Sequence, residues 1–559
     1  MVGAVLCDCH ARRPEHPNFL RYVSARTGGQ SHRIAPTFKI IAFRYSLKRI
    51  RCELSAFSEA SALKNNRRTI LANKKQTYES DVIIIGGVKD SPELALSDWH
   101  SFAHFEDGDV WPRKWAEAYV NTSMEMIFHW LNERSVKFLP LVNWPERGLF
   151  QPGNSVPRWH IAWGIGNGIV RAILGHLDAH PKRKNLQIHF GHQVNQLLHT
   201  NGKITGCAGI LEGSETEFTA SAGAVVAASG GICGCDLSKV CQNWGEDWGD
   251  PPDTLLNGSH RYADGMIHDQ VEKLGGNITH LDKQWHYAAG IHHPRPNREK
   301  HGLSLVPPRS ALWINALGER IGPVPLMGCT DTRYVVEQIC KQPGKYSWQI
   351  LNWKIAIKEL AVSGSDYMTA FRYKKKLRMI LDVLFGNKEL VNRLINESGD
   401  FVTAHSVPEL VQKMNQMDNE YEMDAKLLES EIRAYDNRID QGPAYFNDYQ
   451  LSRIANFRTY KGDRIRTCKF QKISDPKAMP LIAIREFILS RKSLGGVQTD
   501  LDCRALTPQG EPIPGLYAVG ETAGFGGGGI HGKGSLEGTF LGSCILTGRT
   551  AGKAIAEGT

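Results

Sequence analysis

Three short apolar runs that stop at glycine or other small residues divide the chain. They cover residues 82–85, 224–228 and 516–519, which lie far apart in the sequence. A continuous apolar run of this length is typical of a strand that is buried on both faces. Such strands belong to parallel sheets that helices cover on both sides. The pattern therefore predicts an α/β fold whose sheet is assembled from separate segments.

The segment between the first two runs has the periodicities of helices and of a hairpin. In residues 91–134, aromatic side chains and one methionine recur at spacings of three, four or seven positions, which predicts helices with a largely aromatic core face. These residues are Trp99, Phe102, Trp115, Tyr119, Met126 and Trp130. Residues 186–198 and 203–211 alternate as strands around Asn201 and Gly202, and Asn-Gly is a strong signal for a tight hairpin turn.

The third apolar run leads into a glycine-rich stretch. Glu521 follows Gly520, and five of the eight residues after Glu521 are glycine. Glycine permits positive φ and lets a flat or phosphate-bearing group approach the backbone closely. Helical character begins near Thr539, so the free N–H groups of a helix start would face these glycines and favour negative charge. The alternative is a flexible surface loop before a C-terminal helix.

A change in composition predicts an inserted segment between the second and third runs. From about residue 281 to residue 475 the sequence is helical, charged and aromatic. The cluster Trp285-His286-Tyr287, with His292 and His293 nearby, could line an active site. Structural histidines with satisfied hydrogen bonds are the alternative interpretation.

Composition and charge narrow the functional classes. Of the 559 residues, 41% are hydrophobic and 22% are charged, as in an ordinary globular protein. The net charge of +9 originates in residues 1–80, which hold fifteen Lys or Arg and five Asp or Glu. Because the remainder is close to neutral, we expect no nucleic-acid partner. No apolar run reaches the roughly 18 residues of a membrane span, so we expect no integral membrane segment.

The cysteines and the N-terminal residues bear on the cellular compartment. Twelve cysteines are scattered without a CxxC pair, which favours mostly reduced thiols in an intracellular protein and no metal site, with a metal-binding or redox pair as the alternative. Residues 1–78 are Arg-rich and acid-poor. They are interpreted as a poorly ordered extension or an artefact of gene modelling, with an organelle transit peptide as the alternative. We expect a cytoplasmic protein by default.

The first apolar run resembles the opening of a dinucleotide-binding βαβ unit that is then not completed. Gly86 and Gly87 end the predicted strand, where the backbone of such a unit approaches a pyrophosphate. The fingerprint continues as GxGxxG, with a helix, a second strand and an acidic residue ~20 positions further on. The residues from Val88 to Ser91 break this spacing, and no second strand follows.

These motifs together resemble the FAD-dependent oxidoreductase 2 family of fumarate reductase and succinate dehydrogenase flavoproteins. The similarity is greatest to its branch of FAD-binding dehydrogenases related to 3-ketosteroid dehydrogenases. It implies a Rossmann-like α/β FAD-binding domain built from residues 79–280 and 476–559, interrupted by an α+β substrate or cap domain at 281–475. In relatives the glycine loop, first helix and acidic strand lie between the equivalents of Gly87 and Val88, so this block looks deleted here.

The resemblance also implies a set of FAD contacts. In the family a carboxylate at the position of Glu521 binds the ribityl chain, the backbone at Val194 meets the adenine, and the glycine pair 495–496 lies against the flavin ring. The helix start points at the pyrimidine carbonyl. The implied cofactor-binding residues are Gly86, Gly87, Val194, Ser229, Gly230, Gly231, Gly495, Gly496, Gly520, Glu521, Thr539, Phe540 and Leu541.

Three residues are candidates for the chemistry on the same basis. His531 aligns with a substrate-binding histidine of fumarate reductases, Lys492 stands where those enzymes carry histidine, and Tyr287 is a candidate from the cap side. Ser535 stands at the place of their proton-donating arginine, which disfavours dicarboxylates.

The expected function is therefore an FAD-dependent oxidoreductase that acts on carbon–carbon bonds next to a carbonyl, with an apolar, steroid-like ketone favoured as substrate. Its expected partners are this small molecule and an unidentified electron acceptor. The alternative is a catalytically impaired, truncated paralogue, or a faulty gene model, that does not hold FAD.

Overall fold

The computed structural model describes residues 90–139, 143–364, 366–418 and 420–558. The predicted strand at 82–85, with Gly86 and Gly87, and the N-terminal extension lie outside these described residues. Residues 96–558 form one compact unit, and residues 90–95 belong to a second unit. Of that second unit, only the beginning of one helix is described here.

Helices account for much of the chain, and a π-helical turn at Met124–His129 joins the second to the third. Their bounds are α1 Pro92–Ala103, α2 Val110–Ser123, α3 Trp130–Glu133, α4 Ile165–Asp178, α5 Ser238–Gln242, α6 Met266–Lys273, α7 Thr332–Cys340, α8 Trp353–Glu359, α9 Thr369–Arg372, α10 Lys376–Phe385, α11 Lys388–Glu397, α12 Val407–Asn415, α13 Ala425–Gln441, α14 Tyr449–Phe457, α15 Lys461–Arg466 and α16 Thr539–Gly558.

The strands of the described residues form four sheets. Their bounds are β1 His192–Thr200, β2 Lys203–Leu211, β3 Glu217–Ser221, β4 Val225–Ala227, β5 Leu256–Asn257, β6 Ile278–Thr279, β7 Gln284–His292, β8 Gly302–Val306, β9 Leu312–Ile314, β10 Tyr346–Asn352, β11 Ala361–Val362, β12 Phe401–Ala404, β13 Leu481–Ser493, β14 Gly496–Val497, β15 Arg504–Leu506 and β16 Pro512–Ala518.

Two of the predicted apolar strands are neighbours in one sheet. The strands β4 and β16 pair in parallel, with Leu516 opposite Val225 and Ala518 opposite Ala227. Because the carboxyl ends of parallel strands meet at one edge of a sheet, the turns after Ala227 and Ala518 lie side by side. The prediction that segments almost 300 residues apart share a sheet is thus confirmed.

The strand β13 is the axis of the largest sheet. It pairs with β10, β12 and β7 in antiparallel orientation and with β5 in parallel. Its pairing with β7 is irregular between Phe487 and Leu489 and again between Leu489 and Lys492. Such bulges bend a strand and change the direction of its side chains. The composition of residues 281–475 predicted helices there but gave no sign of this sheet.

The predicted hairpin is present as β1 and β2, with Asn201 and Gly202 at φ of 49° and 77° in the turn. Two positive φ values in succession are the geometry that Asn-Gly favours. The side chain of Val194 packs against a small apolar cluster that includes Val497, Ala523 and Ala227. The hairpin therefore shares its packing with the segments that follow β13 and β16.

The aromatic periodicity of residues 91–134 correctly predicts helices and a core. The side chains of Trp99, Phe102, Trp115 and Tyr119 are all buried, whereas Trp130 is only partly buried. Burial of an aromatic side chain contributes ~1.5–3 kcal/mol. These helices lie against the glycine-rich C-terminal segment, because the Trp115 ring is within 3.0 Å of a Cβ built on Gly526.

Candidate active site

The glycine-rich segment after β16 is a buried, tightly wound turn. Gly526 and Gly527 have φ of 139° and 65°. A Cβ at Gly527 would lie 2.7 Å from the backbone of Trp111, so no larger side chain fits. The segment is therefore packed against the helices, and the alternative of a flexible surface loop is wrong.

The carboxylate of Glu521 lies in a confined space at the carboxyl end of β16. Its Oε1 accepts a hydrogen bond of 3.1 Å from the backbone N–H of Ser493. A Cβ at Gly231 would lie 2.4 Å from that oxygen and 2.2 Å from Ser493 Oγ. Burial raises the pKa of Glu521 to about 7, although this hydrogen bond and the charge of Lys492 oppose the shift. A side chain at Gly231 is thus excluded, because the Glu521 carboxylate and the Ser493 hydroxyl lie directly against its backbone.

The turn after β4 is linked to the same place through Thr522. The hydroxyl of Thr522 donates to the carbonyl oxygen of Gly230 at 3.0 Å and lies 3.4 Å from Ser229 Oγ. Gly230 has a φ of 86°, which favours glycine. Ser229, Gly230 and Gly231 therefore border the segment that carries Glu521.

The glycine pair after β13 makes two close backbone contacts. A Cβ at Gly495 would lie 2.2 Å from the backbone of His280, and one at Gly496 would lie 2.4 Å from the carbonyl oxygen of Thr522. Both glycines are required by this packing. The structure thus places Gly496 beside the residue that follows Glu521, whereas Val194 contributes to the apolar cluster next to them.

The helix α16 begins at Thr539, and its first N–H groups at Thr539, Phe540 and Leu541 lack intrahelical acceptors as at any helix start. A hydroxyl of the same helix reaches back to the glycine turn, because Thr547 Oγ1 accepts from the Gly520 N–H at 3.0 Å. This contact lies about two turns into the helix. Near the helix start, the Phe540 ring lies 4.9 Å from the ring of Phe525, which brings the positive end of the helix dipole close to the glycine-rich segment.

Three ionisable side chains meet beside Phe540. Lys492 Nζ donates to Tyr287 Oη at 3.1 Å, Tyr287 Oη donates to Glu537 Oε1 in a short hydrogen bond, and Lys492 Nζ lies 4.0 Å from Glu537 Oε1. Lys492 Nζ also lies 3.7 Å from the centroid of the Phe540 ring. We refer to Tyr287, Lys492 and Glu537 as the tyrosine cluster.

The environment of the tyrosine cluster changes the acidity of two of its members. Burial lowers the pKa of Lys492 to about 8, although the charge of Glu537 opposes this shift. Burial, and then the neighbouring charge of Glu537, hold the pKa of Tyr287 well above its ordinary value. At neutral pH the lysine is charged and the phenol keeps its proton.

His531 lies fully buried among aromatic rings. It stacks on Trp99, with centroids 5.5 Å apart and planes at 8°, and its ring centroid lies 4.8 Å from that of Phe540. Burial, assisted by the charge of Lys492, lowers the pKa of His531 to about 3. Its imidazole is therefore neutral, and one of its nitrogens carries a hydrogen that it can donate.

Several polar atoms at this place have no partner within the described part of the chain. They are the two ring nitrogens of His531, the hydroxyls of Ser493 and Ser535, and Glu537 Oε2. A buried polar atom without a hydrogen bond costs ~1–3 kcal/mol. Such a group of unsatisfied atoms is characteristic of a site that receives a polar molecule.

The sequence did not single out Ser493 or Glu537, and it noted Ser535 only as a departure from a family pattern. A signal for Glu537 was present, because it stands two residues before the N-terminus of the predicted C-terminal helix, where a carboxylate is favoured. Its partners, by contrast, are distant: Tyr287 is 250 positions away.

The histidines near Tyr287 are structural. His292 binds Asp400 through its ring at 3.0 Å and through its backbone N–H at 2.7 Å. His286 binds Gln284 at 2.8 Å and stacks on Trp244, and the His293 ring stacks on His301. Of this group, only Tyr287 reaches the candidate site.

Neither a metal centre nor a membrane span is found in the described ranges. No group of three or more His, Cys, Asp or Glu side chains between residues 90 and 558, gaps excepted, has the geometry of a metal site. Within the same ranges, no helix combines the length and the apolar character that crossing a bilayer requires.

The site combines the ends of two parallel strands with glycine turns, a partly buried carboxylate and a helix start. This combination is typical of dinucleotide-binding oxidoreductases. Residues 77–541 match the family described as "FAD binding domain". The chain belongs to this family of FAD-dependent oxidoreductases.

The chain is similar to known relatives over most of its length. It is 40% identical over 492 residues to the KsdD-like steroid dehydrogenase MT0809 of Mycobacterium tuberculosis, covering 84% of this chain and 85% of the relative. The structure of the open conformation of a flavocytochrome c3 fumarate reductase matches with a TM-score of 0.56 at 18% identity, covering 84% of this chain and 68% of that chain.

A second solved structure has the same fold. The 3-ketosteroid delta1-dehydrogenase from Sterolibacterium denitrificans, in complex with 1,4-androstadiene-3,17-dione, matches with a TM-score of 0.56 at 14% identity. The match covers 84% of this chain and 90% of that chain. These comparisons give no support to the alternative of an impaired paralogue.

The residues of the site fit FAD. The backbone at Gly230 and Gly231 carries no side chains, the partly buried Glu521 carboxylate is a hydrogen-bond acceptor, and the start of α16 is a positive dipole end. The two glycines predicted to meet the pyrophosphate, Gly86 and Gly87, lie outside the described residues. The individual contact roles of the cofactor-binding residues stay predictions.

Proposed function

We propose that the protein is an FAD-dependent dehydrogenase of a carbon–carbon bond next to a carbonyl in an apolar, steroid-like ketone. The observation that carries this proposal is the pairing of Lys492 and Tyr287 beside Phe540. A phenol held by a cation can exchange a proton with a carbon next to a carbonyl. The 40% identity to a relative named as a steroid dehydrogenase supports the choice of substrate.

The roles in the reaction divide between the cofactor and the side chains. Bound FAD supplies the acceptor for a hydride. The neutral imidazole of His531 donates a hydrogen bond that polarises the ketone, Tyr287 exchanges the proton, and Lys492 holds the phenol oxygen in place. Glu521 and the glycines around it position the cofactor.

The polar groups suit a single carbonyl better than two carboxylates. Recognition of a dicarboxylate calls for bidentate guanidinium groups. Ser535 is a buried hydroxyl, and the guanidinium of Arg491 donates to the carbonyl oxygen of Gly258 at 2.6 Å. Reduction of a fumarate-like substrate is therefore disfavoured.

The proposal is tested by anaerobic mixing of the purified flavoprotein with a 3-ketosteroid. Flavin absorbance should bleach with the ketosteroid and return when an artificial electron acceptor is added. Reduced protein should not be reoxidised by fumarate. A protein that stays colourless after addition of FAD, or one that turns over fumarate but no ketosteroid, contradicts the proposal.

The cofactor site is tested by adding one methyl group beside Glu521. In Gly231→Ala the new Cβ would overlap Glu521 Oε1 and Ser493 Oγ. An overpacked site costs about 1–3 kcal/mol, so FAD affinity should fall roughly 5- to 150-fold by fluorescence titration. Gly223→Ala is the matched control, because a Cβ there has no neighbour within 4 Å. Equal FAD affinity of the two variants would place the flavin elsewhere.

A further inference from the structure

Glu537 is the member of the tyrosine cluster to which the sequence assigned no role. Its side chain is 12% exposed and that of Lys492 is 11% exposed, and Tyr287 is likewise partly buried. Tyr287 is the member that bonds to both of the others, so a proton that reaches its oxygen can be passed on to Glu537. The second carboxylate oxygen, Oε2, is buried without a hydrogen bond in the described part of the chain.

The contacts set the direction in which a proton can move. The Tyr287 hydroxyl already donates to Glu537 Oε1, and its oxygen accepts from Lys492 Nζ at 3.1 Å. Tyrosinate is not accessible on its own at neutral pH, because the phenol lies in a buried site beside a negative charge. A proton taken up by the phenol oxygen must therefore be matched by one that leaves it.

Two positive groups lie close to the carboxyl group of Glu537. It lies two residues before the start of α16, where the positive end of the helix dipole stabilises an anion. The ammonium group of Lys492 is 4.0 Å from Oε1. The side chain of Glu537 is thus placed to act as the acceptor, and Lys492 compensates the charge that the phenol oxygen acquires in transit.

We propose that Glu537 is the terminal proton acceptor of the reaction and acts through Tyr287. This rests on the proposed function. The C–H bond next to the ketone breaks, its proton forms a new O–H bond on Tyr287 Oη, and the original hydroxyl proton passes to Glu537 Oε1. Bound FAD would supply the acceptor for the hydride of the adjacent carbon, so that the substrate loses two electrons and gains a double bond.

Flavin reduction by a ketosteroid is the first measurement, made anaerobically on the FAD-loaded protein. Glu537→Gln keeps the shape but cannot accept the proton, so the reduction rate should fall ~10²- to 10⁴-fold, the contribution of a general base. Glu537→Asp should recover part of this loss. Glu215→Gln, in the exposed turn between β2 and β3, is the matched control and should reduce its flavin at the wild-type rate.

The second measurement reports on the contact without any turnover. In flavin-free protein labelled with carbon-13 at the tyrosine ring Cζ, the Tyr287 resonance is identified by its loss in Tyr287→Phe. Removal of the strong carboxylate acceptor in Glu537→Gln should move this resonance upfield at neutral pH, because the phenolic O–H bond is then less polarised.

The outcomes separate this inference from the proposed function. Flavin reduction by Glu537→Gln within about threefold of the wild-type rate overturns the role of Glu537. A Tyr287 resonance that does not move in that variant overturns the contact. Wild-type protein whose flavin no ketosteroid reduces, together with a shifted resonance, overturns the proposed function while it confirms the hydrogen bond between Tyr287 and Glu537.

Discussion

Two buried ionic clusters of this protein differ in how completely their hydrogen bonds are satisfied. The arginine cluster consists of Arg147, Arg309, Glu359 and Asp463. Each oxygen of Asp463 accepts from an arginine. Glu359 accepts from four donors, at the N–H groups of Arg309 and Ser310, the Ser310 hydroxyl and the Cys468 N–H. The tyrosine cluster and His531, by contrast, keep polar atoms without partners.

We interpret this difference as the one between a structural cluster and the cluster proposed to act in the reaction. Buried charges are tolerated when every oxygen and hydrogen finds a partner. The arginine cluster meets that condition closely, although Arg309 Nε has no partner in the described residues. The buried polar atoms without partners around Tyr287 and His531 lower the stability of the folded chain. A bound molecule that forms hydrogen bonds with these atoms offsets that loss. The two clusters thus differ in whether their polar atoms have hydrogen-bond partners, and not in their burial or charge.

The largest expected effect comes from opening the arginine cluster. Asp463→Ala leaves two buried guanidinium groups without their anion, and removal of one partner of a buried pair costs about 3–5 kcal/mol. Chemical unfolding should show this loss. In the control Asp502→Ala, the pair with Arg504 is half exposed, so the change should stay within about 0.5 kcal/mol. Equal losses of unfolding free energy in Asp463→Ala and Asp502→Ala would contradict the structural role of the arginine cluster.

The next effect is a pH dependence of stability that belongs to His531. Its folded pKa of about 3 lies below the ordinary 6.5, so the unfolded chain binds a proton that the folded chain refuses. The wild type should therefore lose stability as pH falls from 6.5 toward 3, with a slope approaching about 1.4 kcal/mol per pH unit. His531→Phe should lack this contribution.

The measurement for His531 is the difference in unfolding free energy between wild type and His531→Phe at several pH values from about 7 down to 5. The difference cancels other titrating groups that the two proteins share. A difference that does not change with pH would mean that the imidazole is hydrated and not enclosed by Trp99 and Phe540.

The smallest expected effect compares two buried hydroxyls of similar size. Thr467 Oγ1 accepts from Arg309 at 2.8 Å, and loss of a hydrogen bond to a charged group costs about 1.5–3 kcal/mol in Thr467→Val. Ser535 Oγ has no partner in the described residues, so Ser535→Ala should be neutral or slightly stabilising in flavin-free protein. Unfolding in urea measures both. A loss above about 1 kcal/mol in Ser535→Ala would indicate a bound water or an unrecognised partner.

The sequence predicted the elements that local patterns encode. The apolar runs gave β4 and β16, the Asn-Gly turn gave the hairpin, the aromatic spacing gave the helices from Pro92 onward, and α16 begins at Thr539 as expected. Each of these signals spans fewer than twenty or so residues, which is the range over which periodicity and turn chemistry act.

Local sequence patterns did not predict the sheet around β13 or the contacts of the tyrosine cluster. Tyr287 and Lys492 were proposed from a family resemblance, but their contact joins residues 205 positions apart, and Glu537 joins from a third segment. Proximity of this kind depends on the pairing of β7 with β13, which no local pattern specifies. The predicted domain boundaries and the roles of individual site residues stay predictions.

The bulges in β13 also bear on how insertions and deletions would act on this enzyme. Neighbouring side chains of a strand point to opposite faces, and the pairing with β7 slips twice just before Lys492. Loss or gain of a single residue between Leu489 and Lys492 would turn the ammonium group toward the other face while the rest of the sheet kept its pairing. The number of residues in this short interval thus matters to the position of the ammonium group as much as the identity of the lysine itself.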